Sequence, residues 1–164
     1  MRILVLAVVL AGCSDDVDLT GIYRVDLHVG SSPCGNDQPV VNGVAYLSFH
    51  QEELFGQDYF AYDECTDAAA TDCPGGGGIF GGFYEPIDGG WLGRASSSAG
   101  FGGTCGLSYM EQTAILNGNV LVFELARYQD EVDLPDEDCE PEQAEDRGDS
   151  MPCIEHERVE ATKI

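Results

Sequence analysis

The chain has 164 residues, with 30 acidic side chains against 7 basic ones and a formal net charge of −23 at neutral pH. That excess excludes nucleic-acid binding, which relies on Lys and Arg displacing counterions from phosphates, and it repels anionic membrane surfaces. Partners of such a surface are cationic, neutral or metal-bridged.

At the start, one positive residue, Arg2, precedes the unbroken apolar run Ile3 to Ala11. The run is far shorter than the roughly 20 residues a membrane-spanning helix needs, so it reads as the apolar region of an export signal. Its end, Leu10-Ala11-Gly12-Cys13, resembles the lipobox of bacterial lipoproteins. The resemblance implies that the Cys13 sulfur receives a diacylglyceryl group, that residues 1–12 are cleaved as a signal peptide, and that the new amine is acylated, as by palmitate. Residues 13–18 are then a lipidated cysteine with a short polar tether, and residues 19–164 form a single β-rich domain. The body is expected to be held in the cell envelope, outside the cytoplasm. In the family, Ser14 after the cysteine favours the outer membrane, with the inner membrane left open. Cleavage leaves 164 − 12 = 152 residues, enough for one domain with a core. The loss of Arg2 takes the charge to −24.

Seven cysteines is an odd number, which in an exported protein calls for explanation. With Cys13 set aside for lipid, Cys34, Cys65, Cys73, Cys105, Cys139 and Cys153 remain, enough for three disulfides. Sequence proximity favours Cys65–Cys73 and Cys139–Cys153, leaving Cys34–Cys105. No C-x-x-C occurs and no His flanks a cysteine pair, so the thiols do not read as zinc ligands.

Along the body, Tyr23, Val25, Leu27 and Val29 alternate with Arg24, Asp26 and His28, the period of two of a half-buried strand. Gly30-Ser31-Ser32-Pro33 ends it. Ala45 to His50 repeats the alternation, and Leu54 to Tyr62 reads as a third, aromatic-rich strand. Cys65 to Gly82 reads as a loop. Ile79-Phe80 and Phe83-Tyr84 read as short strand pieces, Ile87 to Ala95 carries Trp91, and Ser96 to Gly103 reads as another loop. Leu107 to Leu116 and Val120 to Tyr128 form a hairpin through Asn117-Gly118-Asn119, because Asn-Gly accepts the positive φ of a tight turn. Ile154 to Thr162 is the last strand. Before it, Asp130 to Asp149 holds eleven acids and one Arg. It reads as an acidic, solvated loop in which Gln143-Ala144-Glu145-Asp146 makes a helical turn at most. The fold class is therefore all-β: a small antiparallel barrel or sandwich of seven or eight strands, disulfide-stabilised, with Gly-rich and acidic loops.

Leu19-Thr20-Gly21-Ile22-Tyr23 also resembles the G-x-W entry into the first strand of lipocalin-like (calycin) barrels, with Tyr in place of Trp. That resemblance implies a pocket for a small apolar ligand, and it implies that Arg158 stacks on Tyr23 as the family's Arg packs on its Trp.

Few residues point to chemistry. Gly76 to Gly81 fits G-x-G-x-x-G, but no strand-to-helix context surrounds it. No catalytic signature such as G-x-S-x-G or H-E-x-x-H occurs, so the chain is expected not to be an enzyme and to use no cofactor. Asp136 and Asp138 could bind calcium weakly, since hard cations prefer carboxylates. His28 and His50 could face one another on neighbouring strands. Two functions follow. One is a lipid-anchored structural or interaction module, with a cationic protein as possible partner. The other is a binder of a small apolar ligand, using Tyr23, Trp91 and Phe123. An open cavity lined by those three would favour the binder, and a filled interior the module.

Overall fold

Short runs of alternating apolar and polar residues, punctuated by glycines, form strands along most of the chain. The computed structural model describes residues 17–41, 43–76 and 81–164. The strands are β1 Gly21–Ser31, β2 Gln38–Pro39, β3 Tyr46–Leu54, β4 Gln57–Cys65, β5 Gly75–Gly76, β6 Glu85–Ile87, β7 Gly90–Phe101, β8 Thr104–Asn117, β9 Val120–Asp133 and β10 Cys153–Lys163, with one helix, α1 Pro141–Arg147. They make one antiparallel sheet in the order β5-β4-β3-β1-β10-β9-β8-β7-β6, with β2 alongside β1. The antiparallel all-β class read from the sequence holds, and the sheet is not closed. It curls until its ends meet at a single isolated bridge, Phe60 with Phe83.

What drives the curl is burial of aromatic surface. Tyr23, Phe49, Tyr62, Phe83, Trp91 and Phe123 belong to one core cluster with Leu47, Leu121 and Val159. Rings from strands remote in the sheet touch: Phe60 and Trp91 centroids are 5.1 Å apart, and Tyr62 and Phe123 are 5.2 Å apart.

Several boundaries differ from the sequence reading. Leu54 to Tyr62 is not one strand, because Phe55 (φ 53°) and Gly56 (φ 81°) make a two-residue turn that pairs Leu54 with Gln57. Ser96 to Gly103 is not a loop. Gly102 and Gly103 take positive φ, and β7 pairs with β8 without interruption from Gly90↔Ile115 to Phe101↔Thr104. Here the hairpin ladder overrides the weak strand preference of Ser and Gly. In the hairpin expected at residues 117–119, the positive φ falls on Gly118, with Asn117 paired to Val120.

One irregularity changes which residues face inward. On β1 the pairing passes from Val25↔Ala161 to Leu27↔Glu160, so Asp26 is an extra residue, a β-bulge that shifts the alternation by one. Before it, Tyr23 and Val25 face the core. After it, His28 pairs with the core residue Val159, while Leu27 is 40% exposed. The expected inward stripe Tyr23-Val25-Leu27-Val29 therefore breaks at its third member.

The acidic segment is also more ordered than its composition suggests. Asp130 to Asp133 belong to β9, and α1 begins with Pro141 at its first turn, where a missing N–H costs nothing. Ala144 of α1 is fully buried with Cys105, Leu107, Tyr109 and Met151, and Arg147 pairs with Asp130 at 3.0 Å. A few apolar anchors and one cross-link hold the segment as a strap on the outer face of β8, despite its charge.

Three disulfides staple the fold: Cys34–Cys153, Cys65–Cys73 and Cys105–Cys139. The local pair is the expected one, and the other two exchange partners. Register explains the exchange. Ser31 lies opposite His156, which carries Cys34 to the start of β10. Cys139, at the beginning of the strap, packs beside Gly100 next to Cys105, itself opposite Gly100.

Non-reducing peptide mapping is expected to yield these three pairs, and a Cys139–Cys153 peptide would contradict them. Loop closure makes the Cys34–Cys153 link, 119 residues apart, the most stabilising of the three. Its removal by Cys34→Ala with Cys153→Ala is expected to cost about 5 kcal/mol in chain-entropy terms, against about 2.5 kcal/mol for the Cys65–Cys73 pair, read from denaturant titrations.

Candidate functional site

The three aromatics expected to line a ligand pocket are core residues. Tyr23, Phe123 and Trp91 are 0%, 3% and 9% exposed, packed among the other rings rather than around a void. Tyr23 donates its hydroxyl to the Leu19 carbonyl at 2.7 Å, and Trp91 donates its indole N–H to the Val17 carbonyl at 2.6 Å. The cation over Tyr23 is not Arg158 but Lys163, whose Nζ lies 5.6 Å from the ring centroid, because the β1–β10 register sets Tyr23 opposite Lys163. Arg158 instead pairs with Glu124 and Glu160.

The histidines do not meet. β1 and β3 pair only from Gly21↔Phe49 to Arg24↔Tyr46, which leaves His28 and His50 far apart along the ladder. His50 pairs with Glu52 and Asp63, His156 with Asp37, and His28 faces Glu157 at 3.6 Å. Asp136 and Asp138 lie in an exposed 3-10 turn, where Asp136 accepts the Gly103 N–H at 3.0 Å. Among the described residues no three His, Cys, Asp or Glu side chains gather as metal ligands. Cys13, and most of the Gly76–Gly81 motif with Ile79-Phe80, lie outside the described residues.

Polar chemistry collects instead where the concave face of the curl runs out below the aromatic core. A cavity of about 270 Å³ there is lined by Tyr62, Glu64, Met110, Gln112, Leu125 and Arg127, among others. Alternation explains the set. Gln112 pairs with Leu125 and Met110 with Arg127, and Leu125 belongs to the core cluster while the half-buried Met110 packs against it, so these four share the inner face. Leu125 also pairs with Glu157 on β10, and Arg127 with Glu155, which brings two more carboxylates to the same rim.

Gln112 is the telling residue. It is 1% exposed and the one buried residue among the described ones that is neither apolar nor glycine. Its Nε2 donates to the carbonyls of Gly81 and Gly82, an arrangement that needs Gly93 bare, since a Cβ there would stand 2.2 Å from the Gly82 oxygen. Two acceptor carbonyls fix the amide's orientation, because the flipped form would oppose oxygen to oxygen. The Oε1 atom is therefore left buried with no donor, a deficit worth about 1–3 kcal/mol.

Charge around the cavity is mostly negative. Arg127 is committed to Glu155 at 2.8 Å. Glu157 is held below the ordinary carboxylate range, chiefly by His28 and against the opposing effect of burial. Glu64 has no ion-pair partner among the described residues. Burial, aided by the charges of Glu64 and Glu157, pushes the Tyr62 phenol up to about 12. Sequence reasoning missed this group. Gln112 sits on an ordinary alternating strand, and His28 turns inward only because of the bulge.

Comparison with protein-family models, with curated proteins and with solved structures finds no match to the chain.

The raised phenols have a consequence at high pH. Tyr62 and Tyr23 both titrate near 12 when folded, against 10.0 ordinarily. The unfolded chain therefore ionises first, and stability that is intact below pH 10 is lost as the pH rises towards 12. Tyr62→Phe removes one such phenol while keeping the ring, so its alkaline unfolding midpoint is expected to lie above that of the parent in a circular-dichroism titration.

Proposed function

We propose that the chain is an exported lipoprotein, acylated at Cys13, whose disulfide-braced β-body serves as a structural or interaction module on the extracytoplasmic side of the cell envelope, at the outer membrane. The observation that carries this reading is the cysteine pairing. Six cysteines are consumed in three disulfides, leaving as the seventh the one in the lipobox-like Leu10-Ala11-Gly12-Cys13. Disulfides belong to oxidising compartments, so the braces and the signal agree on the side of the membrane.

The anchor and the body are closely coupled. The Val17 carbonyl is held by Trp91, and the four steps from Cys13 to Val17 span at most about 14 Å. The body therefore rides close to the bilayer, on acyl chains that together hold firmly. The packing of Tyr23, Trp91 and Phe123 in the aromatic core favours the module over the apolar-ligand alternative, since these three line no open pocket.

Mass spectrometry of the protein from membranes of its native host tests the reading. The expected product starts at Cys13 and carries diacylglyceryl and acyl groups. Cys13→Ser is expected to leave residues 1–12 attached and the acyl groups absent. An unmodified Cys13 in the parent, with residues 1–12 still in place, would overturn the proposal.

A further inference from the structure

A sheet that does not close has free margins, and exposed margins are ordinarily guarded by charge or proline. Asp58 stands on that of β4, and Asp130, Glu131 and Asp133 stand on that of β9 beyond its pairing with β10. The margin of β7 is different. β7 pairs with β6 only from Gly90 to Leu92, and from Arg94 to Phe101 it has β8 alone. Ala95 to Phe101 holds no charged residue and no proline, in a chain of net charge −23. We propose that this margin is a docking site for an extended, basic segment of a partner protein, which adds to β7 as one more antiparallel strand.

Register shows which groups are unused. Phe101 and Thr104 flank the two-residue turn Gly102-Gly103, so they exchange both ladder bonds. Alternation then assigns the odd-numbered residues of β7 to β8 and turns the even-numbered ones outward. The Tyr84 N–H bonded to the Leu92 carbonyl agrees with that assignment. Among the described residues the main-chain groups of Arg94, Ser96, Ser98 and Gly100 meet no partner on the open side.

Charge selects the occupant. The even-numbered side chains face the acidic strap: Ser98 donates to the Cys139 carbonyl at 3.0 Å, and a Cβ on Gly100 would stand 3.3 Å from Asp136. Arg94 shares a cavity with Glu145 and Asp149. Residues paired with these on an added strand would lie beside the strap's carboxylates. The nearby cations do not offset them, since Arg94 is tied to Glu85 and Glu111 and Arg147 to Asp130. On the inner face, Ser97, Ala99, Gly106 and Ser108 are small. They leave a trough of about 570 Å³, bounded by Gln129 and Glu131, with room for the intervening side chains. A second copy of this chain would bring −23 against −23 and set strap beside strap, which charge disfavours. The proposal names a partner for the module reading but does not depend on lipidation at Cys13, so the two fail separately.

The test uses the full-length chain in a neutral detergent, with acetyl-Lys-Thr-Lys-Thr-Lys-Thr-Lys-amide as probe, followed by calorimetry and amide hydrogen exchange. The peptide is expected to bind saturably. It should slow exchange at Ser96 and Ser98, while Ala95 and Ser97, bonded to β8, are slow with and without it. The same peptide with its lysine main-chain nitrogens methylated keeps the charge but loses the donors that face β7, and it is expected not to bind. A Glu-Thr peptide of the same length is expected not to bind either. Ser96→Pro removes an outward N–H and no bond to β8, and is expected to abolish binding. Should that variant melt earlier than the parent, Glu142→Gln with Glu145→Gln on the exposed side of the strap is read instead, with binding weakened about threefold or more. No saturable binding up to about 1 mM would overturn the proposal. So would equal binding of the methylated or acidic peptide, unchanged exchange at Ser96 and Ser98, or protection of those amides by self-association without peptide.

Discussion

The pairing of the two terminal strands governs this molecule. β10 enters between β1 and β9, hydrogen-bonded on both sides along nearly its whole length. Without it the sheet would fall into a β1–β3–β4 piece and a β7–β8–β9 piece, each too small to bury its apolar face alone. With it, Val159 and Ala161 complete the floor of the aromatic core, and the start of β10 is delivered to Cys34. The Cys34–Cys153 link then locks the contact with the greatest sequence separation among the three cross-links, which is where restricting the unfolded chain has the largest effect.

The same pairing contains the bulge at Asp26 that sets the polar side of the interior. A single extra residue turns His28 inward opposite Val159 and next to Glu157. The inner face therefore grades from packed rings near Tyr23 and Trp91 to a rim of Glu64, Gln112, Arg127 and Glu157. A barrel filled to both ends would have no such rim. It exists because the curl stops at one bridge, and because β7, β8 and β9 run on past the aromatic layer.

The acidic strap shows a different balance. Many carboxylates in one short segment repel one another, yet repulsion between exposed charges is weak and screened. Against it stand the buried Ala144 and Met151, the Arg147–Asp130 pair and the Cys105–Cys139 cross-link. These cover the outer face of β8 at Leu107 and Tyr109, so that strand is buried on both sides. An alternating pattern cannot announce that second buried face.

By itself the sequence determined that the chain is built of antiparallel strands, since alternation, β-branched residues and the Asn117-Gly118 turn are local signals. It also determined that six cysteines would pair once Cys13 is set aside, and that Cys65 would find Cys73, because eight residues can close on themselves. Tertiary structure alone decided the other two disulfides, the swap of Lys163 for Arg158 over Tyr23, and the fate of Tyr23, Trp91 and Phe123 as packing. Each of these depends on the register of strands distant in sequence, and register is fixed by how the whole apolar face closes rather than by any short stretch of residues. The cavity at Gln112 belongs to the same class: Tyr62 and Glu64 come from β4, Met110 and Gln112 from β8, and Leu125 and Arg127 from β9, and only the curl brings them together.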